Sequence, residues 1–227
     1  MPISIAIDGP SGAGKSTVAK DIASRIGAMY LDTGAMYRAI GLHMTRKGIA
    51  LDDSAAIIAE LPNVPIHVKH ENGVQATYLG SENVSQAIRT PQISTAASAV
   101  STIPEVRTAM VDLQREIARG IDIVMDGRDI GTHVLPNAAV KVFLTASAEE
   151  RARRRFVELQ ERGISQPYEE VLSDIVERDR NDSTRAASPL RKAEDAVEID
   201  STDKDARACA DAIIELVRQY RASEENQ

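Results

Sequence analysis

Short apolar runs alternate with longer stretches of helical periodicity along most of this chain, beginning at Ile3. The runs are brief and rich in β-branched side chains, which is typical of strands buried on both faces. Predicted strands cover residues 3–7, 28–31, 121–126, 138–144 and 196–200. Predicted helices cover residues 16–26, 51–61, 104–119, 145–162, 168–179 and 204–221. One further helix is predicted after the segment 31–38 and ends at about residue 48. Strands that alternate with helices in this way indicate an α/β fold, in which a parallel sheet is covered on both faces.

The alternation is interrupted between residues 62 and 97. Two runs there alternate apolar and polar positions on either side of Asn72-Gly73, a dipeptide typical of the tight turn of a β-hairpin. A helical segment follows, with the sequence SQAIRTPQISTAASAVS. An antiparallel hairpin does not suit a parallel βαβ series, so we expect 62–97 to be an inserted subdomain. The core is then predicted at 1–61 and 98–221, and the tail at 222–227 is predicted to be disordered.

The first predicted strand leads into a glycine-rich segment, IDGPSGAGKSTVAK, at residues 7–20. Gly9 and the triplet Gly14-Lys15-Ser16 form the phosphate-binding loop pattern, in the strand–loop–helix context that the pattern requires. Glycines let the backbone wrap closely around an anion, and the N–H groups at the helix start point toward it. In such loops the lysine reaches the β- and γ-phosphates and the hydroxyl ligates Mg²⁺. The pattern predicts a nucleoside triphosphate site, against the alternative of a glycine-rich turn that binds nothing.

Two absences narrow the class of nucleotide-binding protein. The chain contains neither Asp-x-x-Gly nor Asn- or Thr-Lys-x-Asp, which a GTPase would need to sense the γ-phosphate and to recognise guanine. An ATPase that remodels DNA or protein would need more chain or a recognisable partner surface. Phosphoryl transfer to a small acceptor is the class that remains.

Composition and charge restrict the partners. Hydrophobic residues make up 43% of the 227 and charged residues 27%, as in an ordinary globular domain. The net charge of −7 argues against binding nucleic acid through bulk attraction. A single cysteine, Cys209, excludes a disulfide framework and a cysteine-rich metal site, and we expect it to be a small buried residue. No apolar run approaches membrane-spanning length and the first strand leaves no room for a signal peptide, so a cytosolic protein is expected.

Arginine supplies 20 of the 27 cationic residues. Its planar guanidinium suits bidentate contacts with phosphate, although genomic bias explains such an excess equally well. Most of these arginines could be solvated residues on helix faces. Arg128, in MDGRDIGT, is different because it follows a buried strand, and open α/β folds bind ligands at the carboxyl ends of their strands.

Eight motifs, in chain order, carry a wider resemblance: GPSGAGKST, LDTGAMYRA, YLGSENVSQAIRT, AASAVS, PEVR, MDGRDIGT, EERARRR and RDRNDSTRAASPL. Together they resemble the bacterial cytidylate kinase family from about residue 3 to residue 218. The resemblance implies a P-loop NTPase core with a five-stranded parallel sheet, an inserted monophosphate-binding subdomain at 62–97 and a mobile lid at about 151–185. It also implies transfer of a phosphoryl group from ATP to CMP or dCMP, giving ADP and CDP or dCDP, with Mg²⁺ as cofactor.

The same resemblance implies roles for individual residues. ATP would bind to the loop of Gly9, Pro10, Ser11, Gly12, Ala13, Gly14, Lys15, Ser16 and Thr17, with Ser16 as the Mg²⁺ ligand. CMP would bind through its monophosphate to Thr33, Arg38, Arg128 and Arg185, through its cytosine to Ser98, Arg107 and Asp129, and through its sugar to Arg178 and Asp182. The catalytic group would be Lys15, Asp126, Arg128 and Arg185, and the lid arginines would be drawn from Arg151, Arg153, Arg154, Arg155 and Arg162.

The implied partners are small nucleotides, ATP and CMP or dCMP, without nucleic acid or membrane, and the family expectation is a monomer. Two alternatives stay open from sequence. One is a P-loop kinase for another small acceptor such as UMP. The other is a nucleotide-binding regulator without turnover.

Overall fold

A computed structural model describes residues 2–71 and 74–225 of the chain and contains a five-stranded parallel sheet. The strands in chain order are β1 (Ser4–Asp8), β2 (Met29–Asp32), β3 (Ile66–Glu71), β4 (Val74–Leu79), β5 (Glu82–Asn83), β6 (Ile123–Gly127), β7 (Val140–Thr145) and β8 (Val197–Asp200). The parallel sheet has the order β2-β6-β1-β7-β8, which confirms the predicted fold class and its five core strands.

Helices cover both faces of this sheet. They are α1 (Lys15–Ile26), α2 (Thr33–Arg46), α3 (Ser54–Glu60), α4 (Pro91–Val100), α5 (Pro104–Ala118), α6 (Ala148–Glu161), α7 (Tyr168–Thr184) and α8 (Ala206–Glu225). The side chains of β1 show the two faces: Ile5 and Ile7 pack with α1 and α8, whereas Ala6 packs with α2 and α5. Cys209 of α8 is fully buried in the first of these cores, as predicted.

The predicted insert is a separate antiparallel sheet of three strands, in the order β3-β4-β5. The pairing of β3 with β4 confirms the predicted hairpin, while its Asn72-Gly73 turn lies outside the described residues. The predicted boundary after residue 97 falls inside α4, which packs closely on α2. A Cβ atom on Gly41 would lie 2.9 Å from the Ala96 Cβ, so the absence of a side chain at this position permits the close approach of the two helices.

Several predicted helix limits were wrong. Thr145 belongs to β7, and α6 begins only after Ser147, whose hydroxyl accepts a hydrogen bond from the Glu150 backbone N–H. Helix α7 continues five residues beyond Asp179, through a polar stretch predicted as loop. Helix α8 continues to Glu225, so residues 222–225 are helical rather than disordered. The alanine and glutamate residues of this tail have high helix propensity, so the helix forms there without burying an apolar face.

Helices α6 and α7 share a small apolar cluster of their own, formed by Ala152, Leu159, Val171 and Ile175. The insert packs on α2 through another separate cluster, which includes Leu79 and Ile88. The α6–α7 pair therefore has an apolar cluster separate from the core, whereas the cluster of the insert is shared with α2. Within residues 2–71 and 74–225, no helix combines the length and the apolarity needed to cross a membrane.

Candidate active site

The phosphate-binding loop connects β1 to α1, as the sequence predicted. Gly9 has φ of 150°, and a Cβ atom there would lie 1.9 Å from the Leu144 carbonyl oxygen of β7. Gly14 precedes α1 with φ of 86°, a left-handed conformation that side chains rarely adopt. The loop can follow this path only with glycine at these positions, and the path leaves the first N–H groups of α1 at the carboxyl edge of the sheet.

Lys15 is buried at the start of α1, and its Nζ donates a 2.7 Å hydrogen bond to the Pro10 carbonyl oxygen. Burial, together with the positive charge of Arg128, lowers the pKa of Lys15 to about 7, even though Asp126 and Asp8 oppose that shift. A buried ammonium group with this environment favours an anion beside it.

A cleft of about 620 Å³ opens in front of this loop, between the sheet edge, the insert and the α6–α7 pair. The predicted site residues that line it are Ser11, Gly12, Gly14, Lys15, Ser16, Thr17, Thr33, Arg38, Ser98, Arg107, Asp126, Arg128, Asp129, Arg154, Arg155, Arg162, Arg178, Asp182 and Arg185. Gly9, Pro10, Ala13, Arg151 and Arg153 are the predicted site residues that do not line it. Residues from distant parts of the chain are thus brought to one cavity.

Four arginines of the cleft carry nitrogens that are buried without a hydrogen-bond partner among the described residues: Arg38 Nε, Arg107 Nε, Arg178 Nε and Arg185 Nη2. Burial lowers the pKa of Arg38, Arg178 and Arg185, and Arg128 adds to the effect on Arg178, whose pKa falls to about 10. Each buried unpaired donor costs free energy of about 1–3 kcal/mol. Buried guanidinium groups with unpaired donors favour the binding of an anion, because a phosphate would supply the missing acceptors.

Arg128 and Asp182 form an ion pair across the cleft, with Arg128 Nε donating to Asp182 Oδ2 at 2.7 Å. Burial by itself would raise the pKa of Asp182, but Arg128 and Arg178 outweigh it and hold the pKa below its usual value. Asp182 is therefore ionised, and Arg128 is fixed in direction. The pair connects the loop after β6 to α7.

Arg107 and Asp129 form a second buried ion pair, with Arg107 Nη2 donating to Asp129 Oδ2. The guanidinium of Arg107 also lies over the ring of Tyr37, 5.7 Å from its centroid. Ser98 lines the cleft from α4. This part of the cleft thus contains both hydrogen-bond donors and a carboxylate acceptor.

The predicted lid arginines have different surroundings. Arg151 is buried and binds the phosphate loop itself, through an Nη1–Ser11 carbonyl hydrogen bond of 3.1 Å, and pairs with Asp179 at 2.7 Å. Arg153 is exposed and pairs with Glu150. Arg154, Arg155 and Arg162 line the cleft from α6 and its C-terminal end.

Two carboxylates stand side by side at the ends of adjacent strands, because Asp32 of β2 and Asp126 of β6 occupy paired positions. Burial and the charge of Asp32 raise the pKa of Asp126 to about 6, and the Tyr30 hydroxyl donates to Asp126 Oδ1 at 2.8 Å. Thr33 lies beside them, and its hydroxyl donates to the Asp126 carbonyl oxygen at 2.8 Å.

Sequence reasoning missed three charged residues of this region: Asp8, Asp32 and Arg89. Arg89 donates to Asp32 Oδ2 at 2.8 Å and lines the cleft from the insert. Asp8 and Asp32 each directly follow a predicted strand, the same signal that identified Arg128, and that signal could have found both. Arg89 lies in the motif YLGSENVSQAIRT, which was used for its resemblance but not for its charge.

Comparison with known proteins gives one family. The family model described as cytidylate kinase matches residues 5–219. The chain belongs to the cytidylate kinase family. Among curated cytidylate kinases, that of Caldicellulosiruptor bescii is 50% identical over 94% of this chain and 95% of its own length. The cytidylate kinase of Caldanaerobacter subterraneus is 49% identical over 99% of this chain and 98% of its own length. That of Exiguobacterium sp. is 46% identical over 97% of this chain and 98% of its own.

Solved structures support the fold. A gluconokinase from Sinorhizobium meliloti superposes with a TM-score of 0.51 at 17% identity, covering 100% of this chain and 98% of its own. An uncharacterised protein from Eubacterium ventriosum gives a TM-score of 0.53 at 13% identity, covering 96% of this chain and 99% of its own. At such identities the likeness concerns the fold alone, and the family assignment rests on the cytidylate kinase relatives.

Proposed function

We propose that this chain transfers the γ-phosphoryl group of ATP to CMP or dCMP, giving ADP and CDP or dCDP. The observation that carries the proposal is the set of unpaired buried donors on Arg38, Arg178 and Arg185, in the same cleft as the phosphate-binding loop. One loop suits the phosphates of a donor, and the arginines suit the phosphate of an acceptor. Membership of the cytidylate kinase family supports CMP as that acceptor.

On the donor side, the loop from Gly9 to Thr17 would bind the ATP phosphates through its backbone N–H groups. Lys15 would exchange its hydrogen bond to the Pro10 carbonyl for one to the β- and γ-phosphates. Arg154 and Arg155 would approach the donor from α6. No covalent intermediate with the protein is needed, since positioning and neutralisation of charge account for this class of reaction.

The residues present fit Mg²⁺ as the cofactor. No group of three or more His, Cys, Asp or Glu in the described part of the chain could hold a metal ion by itself. That suits an ion which takes most of its ligands from water and from substrate phosphates. Ser16 would hold it, with Asp126 close by, because burial and Asp32 leave the Asp126 carboxylate short of positive charge. When bound, the ion would neutralise charge on the phosphates.

On the acceptor side, Arg38, Arg128 and Arg185 would hold the monophosphate. Its oxygen is already anionic, so the reaction requires no strong general base. Asp182 and Arg178 would bind the sugar hydroxyls. Asp129, an acceptor only, would take the N4 amino group of cytosine, while Arg107 and Ser98 would donate to N3 and O2.

A coupled assay of ADP release tests the proposal with CMP, dCMP, UMP, AMP and shikimate as acceptors. We expect turnover with CMP or dCMP well above the other three. Lys15→Ala, prepared in parallel, should lose at least about 10²-fold in turnover, as for the loss of one preorganised charge donor, and excludes a contaminating kinase. Turnover with a different acceptor would favour the alternative small-molecule kinase. ATP binding without turnover on any of the five would favour a regulator.

The proposal includes a monomer that acts in the cytoplasm on small nucleotides, without nucleic acid or membrane as a partner. This part rests on the family resemblance and on the net charge of −7, which disfavours nucleic acid. Sedimentation equilibrium at micromolar concentration tests it, with a single species of about 24.6 kDa as the expected result.

A further inference from the structure

Asp8 is a buried carboxylate that ends β1, directly before the phosphate-binding loop, and it is 4% exposed. Its Oδ1 accepts a hydrogen bond from the Ile130 backbone N–H at 2.7 Å. Its Oδ2 accepts one from the Gly131 backbone N–H, also at 2.7 Å. One side chain thus bridges the start of the ATP loop to a loop more than 120 residues away in the sequence.

The bridged segment is a single wide helical turn, Ile130–Val134, that follows β6. The backbone N–H groups of His133 and Val134 bond to the Asp129 carbonyl oxygen, but the Asp129 side chain makes no bond to the first N–H groups of the turn. Those groups would lack acceptors without Asp8, since the start of a helical turn leaves its N–H groups unpaired. Asp8 therefore supplies the cap of this turn from another strand.

The two residues before this turn are Arg128 and Asp129, which line the cleft where CMP is proposed to bind. Arg128 is directed at Asp182, and Asp129 is paired with Arg107. The backbone that sets the direction of both side chains is held on its C-terminal side by the Asp8 bonds. A displacement of this backbone would move the phosphate contact and the base contact together.

The position is an unfavourable one for a carboxylate. Burial raises the pKa of Asp8 to about 6, the two backbone bonds lower it, and the charged groups that face it are Asp129 and Lys15, which act in opposite directions. Asp8 forms no ion pair within 4 Å with any described residue. Burial of a charge costs free energy that its hydrogen bonds must offset. The only hydrogen bonds of the Asp8 side chain among the described residues are the two that join the loops.

We infer that Asp8 is a positioning residue that fixes the acceptor-binding residues Arg128 and Asp129 relative to the ATP loop. The inference rests on the proposed function, because it takes CMP as the acceptor. It predicts a defect on the acceptor side: the N–H groups that Asp8 binds belong to the acceptor loop, whereas the ATP loop keeps its own glycine path and its Lys15 bond to Pro10.

The test is Asp8→Asn, which preserves shape but presents an amide NH₂ to one of the two N–H donors. We expect the Kd of CMP, measured by calorimetry, and kcat/KM for CMP to worsen by about 10–100-fold, with the Kd of ATP changed less than threefold. Asp122→Asn is the matched control. Asp122 Oδ1 also accepts a backbone bond between β1 and β6, from the Ile3 N–H at 2.8 Å, but at the opposite edge of the sheet. It should leave both nucleotides unaffected.

Three results would overturn the inference: CMP and ATP affected equally, neither affected, or the same defect in Asp122→Asn. If Asp8→Asn does not fold, Gly131→Ala replaces it. A Cβ there would contact Asp8 Oδ2 at 3.4 Å and would lie closer to Lys141 Cδ, at 3.2 Å, so it adds bulk beside the bond without removing the charge. It should weaken CMP binding about 3–10-fold and leave ATP binding unchanged, and unchanged CMP binding would contradict the inference. Failure of the proposed function would appear in the wild type instead, as absence of CMP turnover, and the variants would then be compared on whichever acceptor the wild type uses.

Discussion

Arg178 shows how the charge that suits a phosphate works against the stability of the empty protein. Its Nε is buried without a partner among the described residues, and burial and Arg128 lower its pKa to about 10. A base with a lowered pKa in the folded state has its charged form disfavoured by folding. The destabilisation is therefore present throughout the range below pH 10 and disappears only as pH rises above it. A bound phosphate would remove it.

Replacement of the Arg178 charge should increase the stability of the ligand-free protein and weaken the binding of CMP. Arg178→Met keeps an unbranched side chain and should raise the Tm of the ligand-free protein by several degrees, since about 1 kcal/mol corresponds to about 2–4 °C for a chain of this size. The further rise in Tm on addition of CMP should shrink in the variant. Arg180→Met, an exposed arginine on the same helix, is the control and should change neither quantity. A lower Tm for ligand-free Arg178→Met would contradict the prediction.

Asp129 is the residue on which the choice of base depends in the proposed complex. Its carboxylate pairs with Arg107, and a carboxylate can only accept a hydrogen bond. Cytosine presents N4–H to it, whereas uracil would present O4 to the carboxylate and N3–H to a donor. Each mispaired buried group costs about 1–3 kcal/mol.

The wild type should therefore favour CMP over UMP by about 10–10³-fold in kcat/KM. Asp129→Asn, whose amide can turn to donate to O4, should narrow that ratio chiefly through loss of CMP activity. Both nucleotides are measured with both proteins, and Asp112→Asn on the exposed face of α5 serves as the control. An equal ratio in Asp129→Asn and wild type would show that Asp129 does not recognise the base.

At the scale of elements, the apolar pattern predicted the strands well and helices α6 and α7 less well. The strands β1 and β6 are buried on both faces, so apolar residues predominate in their sequences, whereas burial alternates along β7. The end of α7 has no such signal. Arg178 and Asp182 face the cleft there and are held by ion pairs and by charge, not by apolar packing, so the periodicity of hydrophobic residues ends before the helix does.

The residues of the candidate site likewise differ in whether a local sequence pattern predicts them. The phosphate loop was predicted because its glycines and lysine have fixed spacing within one segment. Arg38 and Asp182 were placed by resemblance to a family, since nothing local distinguishes them from solvated residues of a helix. The position of Asp8 after a strand could have been noted from the sequence, but its role could not, because that role depends on a turn that lies next to it only in the folded chain.

At the scale of the whole molecule, the core, the insert and the α6–α7 pair surround one cleft. The α6–α7 pair touches the insert through Arg162 Nη1, which donates to the Arg89 carbonyl oxygen at 3.1 Å. It touches the core through Arg151, which binds the Ser11 carbonyl. The α6–α7 pair has its own small apolar cluster, so it can move as a body without loss of that packing, whereas the cluster of the insert is shared with α2 and any movement of the insert would shift those contacts.

Such movement is what the proposed reaction requires, since water is a competing acceptor for the phosphoryl group and must be excluded once both nucleotides are bound. Amide hydrogen exchange in residues 62–97 and 151–185 should therefore slow when a non-hydrolysable ATP analogue and CMP are present together. Helix α8, on the far face of the sheet, provides the internal control and should exchange at the same rate with and without nucleotides. Bound phosphates would in addition supply acceptors for the unpaired arginine donors of α2 and α7, drawing these units toward the phosphate loop. Protection confined to residues 9–17 would show that the cleft binds nucleotides without closing over them.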